Sequence, residues 1–311
     1  MSGLKVLFMG TPAFALPSLQ ALINADCSIQ GVVTQPDRPK GRGRQLVPSP
    51  VKELALKEGL PVFQPEKIRN EAFIDQLRVL SPDVIVVVAF GQILPSQILD
   101  IPPLGCVNVH GSLLPAYRGA APVNWVVVNG EKESGVTTML MDEGLDTGDM
   151  LLKKKVRIAS DDTSEVLYHK LSLTGADLLI ETLNGLRSDQ IKAVKQDDSC
   201  ASYAPILKKE DGLIDWSKDA EHIVNLTRGM LPWPTAYTLL KGKTLKIFKG
   251  EQRAEDGKAG TVLSVDKASF QVAAGKGSVL ICELQLEGKK KMDTGEFLRG
   301  FGVEVGDVLG L

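Results

Sequence analysis

The sequence lacks the features that mark several protein classes. Its four cysteines, Cys27, Cys106, Cys200 and Cys282, are scattered through 311 residues with no C-x-x-C pair. That argues against a disulfide framework or a zinc ribbon, and fits a reducing, cytoplasmic setting. Net charge is also scarce: a formal -2 is neither that of a basic polyanion-binding chain nor that of an acidic tail. Any nucleic-acid site must then come from local clustering. No apolar run approaches the ~20 residues of a membrane-spanning helix. The opening MSGLKVLFMG leads into a strand-like segment rather than a signal peptide. Neither secretion nor a membrane partner is expected, and there is no internal repeat or low-complexity tract. What is present is 43% hydrophobic and 24% charged residues, the balance of a soluble globular chain long enough for two domains.

Apolar runs alternate with helical patterns through the first half. Residues 5–9 read as a strand, the spacing of Phe14, Leu16, Leu19, Leu22 and Ile23 as a helix, and residues 28–34 as a second strand. A short helix over 51–58 closed by Gly59, a short apolar piece at 61–63, a helix through Phe73, Leu77 and Leu80, and a strand at 84–88 follow. The continuous β-branched run at 84–88 suits a strand buried on both faces of a mostly parallel sheet. Further on, the pattern predicts a strand at 105–110, a helix at 123–129, a strand pair at 135–141 and 150–158, and an amphipathic helix at 164–186. The class is α/β with an open sheet. From about 186 to 205 the chain turns polar and patternless, and a linker is placed at 190–205, between domains of residues 1–189 and 206–311. Beyond it, apart from a helix at 220–230, short alternating segments such as 244–248 and 278–281 predict a small β-barrel or sandwich.

Ligands in open α/β sheets bind outside the carboxyl ends of the strands, so polar residues at strand ends are the candidates. Asn108 and His110 are two apart at the end of GCVNVHG, which puts both on one face of an extended segment. Asp146 lies in the glycine-rich MDEGLDTG that follows an apolar strand, where the backbone is free to bring a carboxylate close. The three form an acid/base or oxyanion set with no built-in nucleophile. They are equally compatible with a strand-end cap and an Asx turn. His169 and His222 stand without such company and read as structural or solvated. Gly10-Thr11-Pro12 lacks the later glycines of G-x-G-x-x-G and reads as a tight strand-to-helix turn rather than a dinucleotide loop.

Positive charge gathers in three places. Arg38, Lys40, Arg42 and Arg44 fall in one glycine-rich, flexible loop. Lys241, Lys243, Lys246 and Lys249 have no acid among them, and Lys289, Lys290 and Lys291 add a third cluster. Such patches suit phosphate contacts along an extended polyanion, or are solvated surface. Trp233, framed by Pro232 and Pro234, reads as a base-stacking ring or as a core or hinge residue.

The stretch NVHGSLLPAYRGAAPVNW, with DEGLDTGD downstream, resembles the folate-dependent formyltransferases. The opening FMGTPAFALPSL and the loop QPDRPKGRG narrow the resemblance to the methionyl-tRNA formyltransferases, over essentially the whole chain and without departure at the motif positions. The resemblance implies a Rossmann-like catalytic domain followed by an OB-like barrel that binds tRNA. It implies transfer of the formyl group of 10-formyltetrahydrofolate to the α-amino group of methionyl-initiator tRNA, for translation initiation, with no metal. By the same resemblance Asn108, His110 and Asp146 are the catalytic set and Ser112, Leu113, Leu114 and Pro115 the folate-binding segment. Gly10-Thr11-Pro12 is then a wall near the amino-acid end of the substrate. Asn108 and His110 would stabilise an oxyanion while Asp146 orients His110 or manages a proton. A monomer is the default expectation. Two alternatives remain: a formyltransferase acting on a small amine such as a nucleotide-sugar or glycinamide ribonucleotide, and a non-catalytic tRNA- or folate-binding protein.

Overall fold

A computed structural model describes residues 1–40 and 45–310, apart from the side chains of Lys40 and Gln45. The chain forms two compact units. Met1–Gly119, Glu133–Arg157 and Tyr168–Tyr203 make the first, and Ala120–Lys132, Ile158–Leu167 and Ala204–Leu311 the second.

The chain begins with β1 (Lys5–Gly10), which leads through a 3-10 turn at Ala13–Ala15 into α1 (Leu16–Asn24). There follow β2 (Ser28–Val33), β3 (Arg38–Lys40), β4 (Gln45–Val47), α2 (Pro50–Lys57), β5 (Val62–Phe63) and α3 (Glu71–Leu80). Next come β6 (Val84–Val88), α4 (Ser96–Leu99) and β7 (Cys106–His110). After α5 (Pro122–Val128), which belongs to the second unit, come β8 (Glu133–Leu140), β9 (Met150–Arg157) and the long helix α6 (Ser164–Arg187). Helix starts are fixed by side chains that satisfy otherwise orphaned N–H groups. Ser49 Oγ accepts from Lys52 N–H at the head of α2, and Asn70 Oδ1 from Phe73 N–H at the head of α3.

Seven strands form one sheet in the order β5-β2-β1-β6-β7-β8-β9. Pairing is parallel from β5 to β7 and antiparallel for β8 and β9. This is the expected Rossmann-like, mostly parallel sheet. All five residues of β6 are buried, as two covered faces require. At the two flanks of the basic stretch after β2, Arg38 to Lys40 pair with Val47 to Gln45 in antiparallel register. Arg42 and Arg44 lie outside the described residues. The polar 190–205 stretch carries structure of its own. Val194 and Met150 exchange two backbone hydrogen bonds, and Gln196 is buried.

The second unit holds α7 (Ala220–Gly229), β10 (Ala236–Leu240), β11 (Lys243–Arg253), β12 (Val262–Val265), β13 (Phe270–Ala273), β14 (Ser278–Leu286), β15 (Met292–Asp293) and α8 (Thr294–Leu298). The strands are antiparallel in the order β10-β11-β14-β13-β12, with β15 on β14. Both edge strands then bond to the same C-terminal segment: Gly310 N–H donates to Leu239, and Val262 N–H to Asp307, which closes the sheet into a barrel. Leu245, Ile247, Phe270, Val279 and Ile281 fill it, joined by Ile223 and Met230 of α7 and its C-cap and by Val128 of α5. No helix among the described residues is long and apolar enough to cross a membrane.

Candidate active site

Asn108 and His110 stand at the carboxyl end of β7, and both are largely buried, 9% and 6% exposed. The two-residue period of the strand puts them on one face. The loop from Leu140 to Met150 brings the third group. The Asx turn of this loop belongs to another acid than Asp146. Asp142 makes the Asx turn, its Oδ1 accepting from Gly144 N–H at 3.0 Å and from Thr147 Oγ1 at 2.8 Å. Gly148 lets the loop return to the sheet, since a Cβ there would lie 1.8 Å from the Leu140 carbonyl oxygen. Asp146 has φ 55°, a left-handed conformation that Asp tolerates better than most residues. Its carboxylate leaves the turn altogether. Oδ2 accepts from Gly119 N–H at 2.8 Å and lies 3.6 Å from His110 Nδ1, while Oδ1 accepts from Asn108 Nδ2 at 3.4 Å.

His110 Nε2 lies 3.0 Å from the Tyr117 carbonyl oxygen. A carbonyl only accepts, so the proton that bonds the Tyr117 oxygen is carried on Nε2, and Nδ1 is the nitrogen that faces Asp146. Gaining a second proton would set an imidazolium N–H against a carboxylate. Cys106, two residues before Asn108 on the same strand, offers no nucleophile, because burial pushes its thiol up to about 12, with the charge of Asp100 adding to the effect.

The segment after β7 forms the wall beside this set. Ser112 and Leu114 are buried: Ser112 Oγ donates to the Ala116 carbonyl at 2.6 Å, and Leu114 N–H donates to Thr137 Oγ1 at 3.0 Å. Lys153 Nζ donates to the Leu114 carbonyl, and burial holds this ammonium below the usual lysine range. Leu113 and Pro115 are half-buried and keep apolar surface accessible. Sequence reasoning missed three groups here. Arg118 is 2% exposed and donates through Nε and Nη2 to Gln196 Oε1 at 3.0 and 2.8 Å. Gln196 Nε2 in turn donates to the carbonyls of Asp146 and Gly148 at 2.8 and 2.7 Å. Thr137 braces the wall from β8, its Oγ1 donating to the Ser112 carbonyl at 2.7 Å. Arg118 sits inside the SLLPAYRG motif, whereas nothing in the polar sequence around Gln196 sets it apart.

Comparison with known proteins identifies the family. Residues 4–183 match the family model described as formyl transferase, and residues 206–302 that of the formyl transferase C-terminal domain. A methionyl-tRNA formyltransferase of Citrifermentans bemidjiense is 54% identical over 310 residues, which cover 100% of this chain and 98% of that protein. One of Trichlorobacter lovleyi is 55% identical over 309 residues, covering 99% and 98%. The chain belongs to the methionyl-tRNA formyltransferase family.

Among solved structures, this family member is similar to WlaRD, a sugar 3N-formyl transferase crystallised in the presence of dTDP and 5-N-formyl-THF. The TM-score is 0.68 at 19% identity, over 92% of this chain and 99% of that one. HypX from Aquifex aeolicus in complex with tetrahydrofolic acid gives 0.62 at 17%, over 97% of this chain and 50% of that one. Both share its fold.

The basic residues of the family member divide into engaged and free. Lys241 Nζ pairs with Asp307 at 2.9 Å and donates to the Gly302 carbonyl at 3.0 Å, so it fastens the barrel turn. Lys291 pairs with Glu283 at 2.8 Å and lies 4.8 Å from the Phe248 ring centre. Lys243 stands 5.9 Å from the Phe301 ring centre, while Lys246 and Lys249 lie along β11, and none of the three has a carboxylate within ion-pair distance among the described residues. Arg38 is exposed on β3. Trp233 is 55% exposed, which removes the core reading of that residue. His169 and His222 are exposed, as read.

Proposed function

We propose that this chain transfers the formyl group of 10-formyltetrahydrofolate to the α-amino group of methionyl-initiator tRNA. The observation that carries the reading is the convergence of Asn108, His110 and Asp146, with the Asp146 carboxylate 3.6 Å from His110 Nδ1 and 3.4 Å from Asn108 Nδ2. The relatives that match over the full chain are named for methionyl-tRNA as the acceptor, and fold neighbours crystallised with folates support a folate-derived donor. The half-buried Leu113 and Pro115 offer an apolar surface beside the polar set. That suits a flat ring system carrying an amide at its edge, and the N–H and carbonyl of Leu114 are already bonded within the protein.

When bound, 10-formyltetrahydrofolate supplies an activated formyl carbon. The incoming amine forms the new C–N bond, the bond to the folate nitrogen breaks, and one proton passes from the first nitrogen to the second. Asn108 has a second amide N–H beyond the one given to Asp146, and this donor stabilises the carbonyl oxygen as it gains negative charge. His110 takes the amine proton at Nδ1, since Nε2–H is held by Tyr117, and Asp146 stabilises the imidazolium until the proton reaches the leaving nitrogen. This narrows the part read for His110 from sequence, leaving the oxyanion to Asn108. Lys243, Lys246 and Lys249 supply phosphate contacts to the tRNA, as do Arg38, Lys40, Arg42 and Arg44.

The test is incubation of the purified protein with 10-formyltetrahydrofolate and either methionyl-initiator tRNA or a dTDP-amino sugar. Formyl-methionyl-tRNA is the expected product. Formylation of the sugar alone would overturn the proposal in favour of a small-amine enzyme.

A further inference from the structure

We infer that Arg118 and Gln196 are positioning residues that set the geometry between His110 and Asp146, a role that rests on the formyl-transfer reading above. The residues on either side of Arg118 are the ones that touch the reacting pair. The Tyr117 carbonyl receives His110 Nε2–H at 3.0 Å, and Gly119 N–H donates to Asp146 Oδ2 at 2.8 Å. Whatever fixes Arg118 therefore fixes both partners at once.

Gln196 fixes it. One face of its amide, Oε1, accepts both Nε and Nη2 of Arg118, and the other, Nε2, donates to the Asp146 and Gly148 carbonyls on either side of Thr147. A single side chain thus ties the loop that carries the carboxylate to the loop that carries the carboxylate's N–H donor. Both loops need holding, because Tyr117 and Asp146 have φ of 59° and 55°, conformations that persist only where the surroundings impose them. The planar guanidinium makes a stiff strut, and burial of Arg118 and Gln196, at 2% and 5% exposure, keeps water from competing for these bonds. The ion pair to Asp198 contributes little, since that carboxylate is 77% exposed.

Gln196→Glu is the decisive variant. It keeps an acceptor for Arg118 but replaces the N–H donors with an oxygen facing two carbonyl oxygens. Formyl transfer should lose roughly ten- to a hundredfold in kcat, with KM for both substrates within about threefold, as expected for a misplacement near 1 Å. A crystal structure of the variant should show Asp146 withdrawn from His110. Asp198→Asn should stay within about twofold of the unsubstituted protein. Arg118→Lys, which loses the two-pronged contact while keeping the charge, should show the same split between kcat and KM, and carries the comparison if Gln196→Glu does not fold. A folded Gln196→Glu protein with unchanged kcat, or with the loss in KM alone, overturns the inference. An unsubstituted protein that formylates no tRNA overturns the functional reading instead, and the Asp146 position in the variant crystal still judges the clamp.

Discussion

Gly175 of α6 lies against Val109 of β7 so closely that a Cβ on the glycine would come within 2.8 Å of Val109 Cγ1. Val109 sits between Asn108 and His110 and faces the other way, so the helix backs the strand that carries both groups. Gly175→Val should therefore cost about 1–3 kcal/mol of stability through overpacking. It should also lower kcat, because the strand can yield only toward the site. Denaturant unfolding and turnover at a temperature where the variant is folded check the two effects separately, and unchanged values would show that the helix yields instead.

Removing each member of the polar set should act on rate more than on binding. His110→Ala, Asn108→Ala and Asp146→Ala are each expected to lower kcat by about a hundredfold or more. Asp146→Asn is the sharper probe. It keeps an oxygen for Gly119 N–H yet loses the negative charge 3.6 Å from His110 Nδ1, so it should remain folded and slow. Steady-state formylation with circular dichroism on each variant is the measurement.

The lysines of the second unit should separate by what they touch. Lys243→Ala, Lys246→Ala and Lys249→Ala are expected to weaken tRNA binding, and each lost phosphate contact lowers the slope of log affinity against log salt by about 0.7–0.9. Lys241→Ala, which removes the partner of Asp307, should instead lower thermal stability with little change in that slope. Binding measured across a salt series tests the division.

Asp307 gives the barrel an acid limit. Backbone hydrogen bonding at Glu304 and then the hydrogen bond from Lys241 hold its carboxyl below the usual range. A group whose folded pKa is depressed stabilises the fold above its unfolded value and loses that contribution as pH falls through the folded one. The unfolding midpoint should accordingly drop on acidification below about pH 4, the ordinary carboxylate range. Asp307→Asn should be less stable near neutrality and show a shallower decline. Thermal scans from pH 3 to 7 compare the two.

By itself the sequence determined the sheet, most of the helices and the identity of the polar set. These rest on local pattern: the β-branched run at 84–88 can only be satisfied between two covered faces, and the two-residue step from Asn108 to His110 fixes a shared face. Barrel closure by residues 307–310, the place of α5 with the second unit and the turning of the Asp146 carboxylate away from its own turn toward Gly119 were decided by tertiary structure. So was the burial of Gln196 within a stretch that reads as a linker. The physical reason is the same in each case. A pattern along the chain reports which face a residue turns and how its neighbours bend. The partner of a carboxylate 27 positions away, or of an amide 78 positions from its arginine, is set by where other segments bring their donors and acceptors. Polar residues that bond at such range look, in sequence, like any solvated ones.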